Sequence, residues 1–139
     1  MGKQQIITLT TDFGLTDEFA GVMKGVLLCH APAATIVDIS HSIQPQDVRQ
    51  GAWMLAASYH YFPPGTVHLA VIDPGVGSSR KILALKADNH FFVGPDNGLF
   101  NLICENEPSM IAELFQNEVD SSSFPAKTIL AKAAAMLAS

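Results

Sequence analysis

The residues most able to do chemistry lie in one segment, His68 to Arg80, which reads His-Leu-Ala-Val-Ile-Asp-Pro-Gly-Val-Gly-Ser-Ser-Arg. A short apolar run ends at Asp73, and Pro74 cannot continue a strand's hydrogen bonding. Gly75 and Gly77 permit close approach of a ligand to the backbone. Ser78, Ser79 and Arg80 add hydroxyls and a fixed positive charge within a few residues of Asp73 in the sequence. Elsewhere Asp12, Asp17, His41, Asp47, Asp96 and Asn97 stand in polar punctuation near apolar runs. Carboxylates accept hydrogen bonds from ribose hydroxyls and amines, attract cations and repel phosphates. The set therefore favours a nucleoside-like or cationic ligand over ATP or NAD. Taken singly, each piece has a plainer reading: a βα turn with a surface ion pair for 68–80, a loop cap for Asp12, and an ordinary turn for Asp96-Asn97-Gly98.

Several chemistries are excluded by the pattern. Asp12-Phe13-Gly14 has no accompanying glycine-rich loop, strand lysine or catalytic loop of a kinase. Gly75-Val76-Gly77 lacks the third glycine of a dinucleotide fingerprint, there is no Gly-Lys-Ser/Thr of a P-loop, and no serine sits in a nucleophile elbow. The five histidines have no metal-ligand spacing, so no metal is expected, and His41 and His60 read as structural or exposed. The two cysteines, Cys29 and Cys104, lie in apolar contexts and read as core thiols.

A chain of 139 residues with 48% hydrophobic and 15% charged residues is one domain with a real core. A net charge of −5 argues against nucleic acid as a partner. No apolar run is long enough to cross a membrane, and the N-terminus has no signal-peptide core, so a cytoplasmic protein is expected.

The chemical residues must be positioned by the elements between them. Residues 5–9 read as a first strand. Asp17 can cap a helix over 18–30, with Phe19, Val22, Met23, Val26 and Leu27 on its inner face. Residues 35–39 form a second strand, Asp47 opens a second helix to about Tyr61, and the third strand ends at Asp73. This βαβαβ pattern predicts an α/β fold with parallel strands and right-handed crossovers. The loops after all three strands then emerge on one sheet edge, where such folds bind ligands. Residues 82–87 and 91–93 flank Asp88-Asn89, a tight hairpin signal. A short helix over 99–105, a strand at 110–114 and an alanine-rich helical tail at 127–139 complete the chain.

Five motifs in this order carry a family resemblance: Thr10-Thr11-Asp12-Phe13-Gly14, the stretch from Asp17 to Gly25, Val37-Asp38-Ile39-Ser40-His41, Val71-Ile72-Asp73-Pro74-Gly75-Val76-Gly77 with Arg80, and Val93-Gly94-Pro95-Asp96-Asn97-Gly98. Together they resemble the S-adenosyl-L-methionine (SAM) hydroxide adenosyltransferase family, which is related to the bacterial fluorinase and chlorinase. The resemblance implies a three-layer N-terminal domain with a mainly parallel sheet, normally followed by a β-barrel domain and assembled as a homotrimer. It implies SAM as substrate with no cofactor, water as co-reactant, and adenosine and methionine as products. Asp73 and Arg80 match two members of an Asp-Arg-His set that handles water. Asp12 would hold the ribose hydroxyls, Asp17 and Asn97 would lie near the methionine moiety, and Phe13 and Asp96 complete the substrate-binding set.

Two departures stand out. The family's Phe-His-Gly-Arg-Asp motif falls at Phe124, where Pro125 replaces the histidine and Ala126, Lys127 and Thr128 follow. The second departure is that the β-barrel domain implied by the resemblance is expected to be absent here. Residues 1–123 therefore read as the N-terminal-like domain and 124–139 as a diverged or truncated helical tail. Hydrolysis by this chain is expected to be weak or absent. The competing reading is a non-catalytic nucleoside- or SAM-binding remnant, or an oligomerisation module. A carboxylate at Asp73 and the tight hairpin separate the chain from the halogenases, which by the same resemblance carry an aromatic residue and a long insertion there.

Overall fold

The computed structural model describes residues 5–16, 18–72, 82–105, 110–114, 134, 135, 137 and 138. Its elements run β1 (Ile6–Thr11), α1 (Phe19–His30), β2 (Thr35–Ser40), α2 (Val48–Ser58) with a 3-10 turn at Tyr59–Tyr61, β3 (Val67–Val71), β4 (Ile82–Ala87), β5 (His90–Pro95), α3 (Asn101–Cys104) and β6 (Met110–Leu114). They build one six-stranded sheet in the order β2-β1-β3-β5-β4-β6. β1 pairs in parallel with both β2 and β3, and β3 in parallel with β5. β4 alone runs backwards, antiparallel to β5 and β6. The expected α/β class, the parallel βαβαβ core and the hairpin are all present.

β1 is buried along its whole length because it lies between two strands and two layers. The sheet's alternating side chains feed two cores, most clearly along β3 and Ile72. Ile7 and Leu9, with Val67, Leu69, Val71 and Val93, meet Met23 and Leu27 of α1 on one face. Ala70, Ile72 and Phe92 meet Ala52 and Leu55 of α2, with Leu99 and Ile103, on the other. Ala134 and Ala135, near the chain's end, are helical and fully buried in the α1-side core. The two crossovers thus lie on opposite faces, which gives three layers.

The inner face of α1 is narrower than its apolar content suggests. Ala20, Met23 and Leu27 are buried, but Val22 is 42% exposed and Cys29 is exposed. Cys29 lies roughly 200° round the helix from Leu27, at about 100° per residue, so it is not a core thiol. Cys104 is half-buried, and burial pushes its thiol pKa up. Asp47 caps α2 as expected, its carboxylate accepting from the Gln50 N–H at 3.0 Å. α1 differs: Glu18 is its N-cap and makes no side-chain cap bond, and Asp17 lies outside the described residues.

Two glycines mark close approaches. Gly51 of α2 faces Ile72, whose Cδ1 occupies the space a Cβ would need. A Cβ on Gly94 would sit 2.7 Å from the Ala70 carbonyl oxygen, which is backbone in the neighbouring strand and cannot swing aside. Gly94→Ala should therefore destabilise the fold by about 1–3 kcal/mol, read as a lower urea midpoint with an unchanged slope.

At the sheet edge opposite the βα loops lies a buried polar cluster that the sequence reading did not anticipate. His68 Nδ1 is 2.7 Å from Thr8 Oγ1, and its Nε2 is 3.1 Å from His90 Nδ1. The His68 ring stacks on Phe92, and Tyr59 sits edge-on to both histidines while its hydroxyl donates to Asp88. Burial, reinforced by His90, pushes the His68 pKa down to about 3, and burial also lowers that of His90. Between these lowered values and the ordinary one near 6.5, the unfolded chain binds more protons than the folded one. The stability held by this cluster is whole above about pH 6.5 and is lost as pH falls through that window. Urea midpoints at pH 7.5 and 4.5 should drop further for the wild type than for His68→Gln. Equal drops would show that His68 is not held neutral.

Candidate active site

The strand order places the crossover reversal between β1 and β3. The α1 connection leaves β1 for β2 on one side, and the α2 connection returns past β1 to β3 on the other. Open α/β sheets bind ligands in the crevice beyond the carboxyl ends of the strands at such a point. The segment that follows β1 carries Asp12 and Phe13 there, and the segment after β5 carries Asp96 and Asn97 on the far side of β3. β1 and β5 are separated by β3 alone, so their ends lie about 10 Å apart, two strand spacings.

Asp12 is half-buried and firmly held. Its Oδ2 accepts from the Gln46 backbone N–H at 2.8 Å, and its own N–H points at the Val71 carbonyl at 3.4 Å. Gln46 reaches this position with a left-handed φ of 66°. The β1 and β2 loops are joined at two further points: Gly14 N–H donates to the His41 carbonyl at 2.7 Å, and Thr11 Oγ1 meets His41 Nδ1 at 2.6 Å. Gly14, at φ 73°, provides the turn that brings its N–H round. Phe13 is half-buried, its ring tilted against Phe19 at 6.2 Å, so its side chain leans onto the α1 core.

Asn97 closes the other flank. Its Nδ2 donates to the Ile72 carbonyl at 2.7 Å, and its Oδ1 accepts from Leu99 N–H at 3.2 Å. Asp12 and Asn97 thus hold the last two residues before Asp73 from opposite sides. Asp96 is exposed and makes no hydrogen bond among the described residues. Asp73, Arg80 and Asp17 lie outside the described residues, although Ile72 and Ile82, which flank 73–81, are both at this sheet edge. A cleft of about 460 Å³ adjoins the site, lined in part by Arg49, Trp53, Asn97, Asn101 and Leu102. It shares Asn97 with the crevice, but neither Asp12 nor Phe13 lines it.

The sequence reading missed Gln46, whose contribution is a backbone N–H and leaves no side-chain signal. It gave no role to Asp38 and Lys24, although both lie in its motifs. His41 Nε2 is 2.9 Å from Asp38 Oδ1, and Lys24 Nζ is 2.7 Å from Asp38 Oδ2. Desolvation raises the Asp38 pKa, but hydrogen bonds from Lys24 and His41 outweigh it and leave the carboxyl below its ordinary value. The Asp38-Ile39-Ser40-His41 spacing was the available signal.

The sheet order and the helices on both of its faces place the chain in the doubly wound α/β class. The chain belongs to the SAM hydroxide adenosyltransferase family: the pattern of that family's N-terminal domain matches residues 7–139. Over 99 residues it is 50% identical to the (R)-S-adenosyl-L-methionine hydrolase of Salinispora arenicola, covering 71% of this chain and 38% of that one. It is 48% identical over 105 residues to the hydrolase of the same name from Methanocaldococcus jannaschii, covering 72% and 40%. A fluorinase from Nocardia brasiliensis is 30% identical over 125 residues, covering 73% and 42%. A solved structure of an uncharacterized conserved protein from Thermotoga maritima superposes with a TM-score of 0.86 at 38% identity, covering 94% of this chain and 53% of that one. The chain spans about two fifths of the length of the curated relatives it matches. Among the described residues no group of histidine, cysteine and carboxylate side chains is arranged to hold a metal, and no helix is long and apolar enough to cross a membrane.

Asn97 is the clearest test of the flank. Asn97→Ala removes two hydrogen bonds and should cost about 1–3 kcal/mol. Asn97→Asp keeps the acceptor for Leu99 but sets a carboxylate oxygen against the Ile72 carbonyl, so its urea midpoint at pH 7 should fall below that of Asn97→Ala.

Proposed function

We propose that this chain is the N-terminal, substrate-holding part of an adenosine-forming SAM hydrolase, acting on SAM and water. The observation that carries the reading is the Asp12 carboxylate, clamped by Gln46 N–H beside the end of β3 and faced by Asn97 across that strand. This supplies a charged acceptor for a ribose diol with a polar anchor about 10 Å away, a span suited to a nucleoside carrying an amino-acid arm. Membership in the family, and relatives named (R)-S-adenosyl-L-methionine hydrolase at 43–50% identity, support SAM as the ligand.

The chemistry asks little of the protein. In SAM the sulfur is already a sulfonium. When water attacks C5′ a C–O bond forms, the C5′–S bond breaks, and its electron pair returns to sulfur to give neutral methionine. The water's proton goes to a base, the role the resemblance gives to Asp73, while Arg80 steadies developing negative charge. No metal or cofactor is called for by that step. Water is favoured over halide because a carboxylate beside the attack position repels an anion and disfavours its desolvation. The two-residue turn at Asp88 and Asn89, with φ of 53° and 62°, supports the same side of the family. Asp17, Phe13 and Asp96 complete the proposed substrate-binding set, in a cytoplasmic homotrimer.

Pro125 favours one other reading, a domain that binds the nucleoside without turning it over, because proline can neither titrate nor donate. Calorimetric titration with SAM and with adenosine, beside a chromatographic assay for adenosine, separates the two. We expect binding of both ligands, weakened at least about tenfold by Asp12→Ala. Turnover should fall about 10²–10⁴-fold below that of the longer hydrolases. Binding without any adenosine release would select the second reading, and failure of either ligand to bind would overturn both.

A further inference from the structure

His41 is 4% exposed and spends both ring nitrogens on hydrogen bonds, yet neither partner is an obvious reacting group. The Asp38 carboxyl is ionised at neutral pH and is acceptor-only, since its pKa lies below the ordinary value. His41 Nε2 therefore donates to Asp38. In the neutral ring Nδ1 is then the acceptor, and the Thr11 hydroxyl donates to it. That leaves Thr11 Oγ1 as acceptor for the Phe13 N–H, which points at it from 3.2 Å. The chain of bonds runs inward from the half-exposed Lys24–Asp38 ion pair and ends on the peptide that joins Asp12 to Phe13.

We propose that His41 is a positioning residue: through Thr11 it fixes the Asp12–Phe13 peptide, and so aims the Asp12 carboxylate at the hydroxyls of a bound ribose. The proposal rests on the function inferred above. Two features separate it from a generic buried histidine. The hydrogen bond that matters for the site is the one at Nδ1, whereas the Asp38 bond at Nε2 serves to set the tautomer. The carboxylate's other restraint, from Gln46 N–H, comes from the same β2–α2 loop that carries His41, so loop and peptide are held as one unit.

The two nitrogens can be replaced separately. His41→Asn places an amide oxygen near the Nδ1 position and can still accept from Thr11. His41→Gln reaches the Nε2 position and keeps only the Asp38 contact. Adenosine binding to the full chain should weaken about tenfold in His41→Gln, the loss of one hydrogen bond in a polar site, and less than threefold in His41→Asn. Because His41 acts through Asp12, the double variant Asp12→Ala/His41→Gln should bind no more weakly than Asp12→Ala alone. Equal losses for the two single variants, or a full additional loss in the double variant, would show a merely structural histidine and overturn the proposal. Amide hydrogen exchange gives a readout that needs no ligand: Phe13 N–H should exchange at least tenfold faster in His41→Gln than in the wild type. Unchanged exchange overturns the positioning role even if adenosine binds. Faster exchange in His41→Gln, beside a wild type that binds neither adenosine nor SAM, supports the role while the functional reading fails.

Discussion

The register of β1 between β2 and β3 is the constraint on which the rest of the structure depends. Thr8 lies opposite Val37 on one side and His68 on the other, and Thr11 opposite Val71. Parallel pairing on both sides sends three strand ends out of one edge, and side-chain alternation sends Ile7 and Leu9 to one core and Thr8 to the other. A one-residue slip would exchange those faces. It would bury Thr8 against Met23 and Leu27 of α1 and leave His68 without its Thr8 partner.

That register also explains why polar groups gather at opposite ends of the sheet. At the carboxyl edge the loops meet through backbone groups: Gln46 and Val71 bond Asp12, Phe13 N–H bonds the Thr11 hydroxyl, and Gly14 N–H bonds the His41 carbonyl. At the other edge Thr8, His68 and His90 satisfy one another inside a ring of aromatic side chains. The first arrangement leaves a carboxylate half-exposed and oriented, which suits a ligand. The second leaves two imidazoles buried and neutral, which suits a pH-sensitive structural joint. A histidine's role here follows from its partners more than from its residue type.

His41 belongs with the first group although it never reaches the crevice surface. A buried donor or acceptor left unpaired costs about 1–3 kcal/mol, so a histidine enclosed between Thr11 and Asp38 restricts both neighbours. Lys24 completes the charge balance of Asp38 from α1. Two elements and two loops are thereby tied to the short segment that presents Asp12.

The sequence by itself determined the alternation of strands and helices, because apolar periodicity, the Asp47 cap and the Asp88-Asn89 turn are local properties. It also determined that carboxylates follow strand ends, and its motifs carried the family. Only the tertiary structure decided which of them meet. Asp12 and Asn97 are joined through β3, a strand distant from Asn97 in sequence, and Gln46 takes part through an N–H that every residue but proline possesses. The inner face of α1 was misjudged at Val22 and Cys29 because a helix has one buried stripe, whose width is set by the sheet beneath it. The pairing of His68 with Thr8 and His90 was invisible for the same reason: strand register, a non-local quantity, places three scattered polar residues within hydrogen-bond reach.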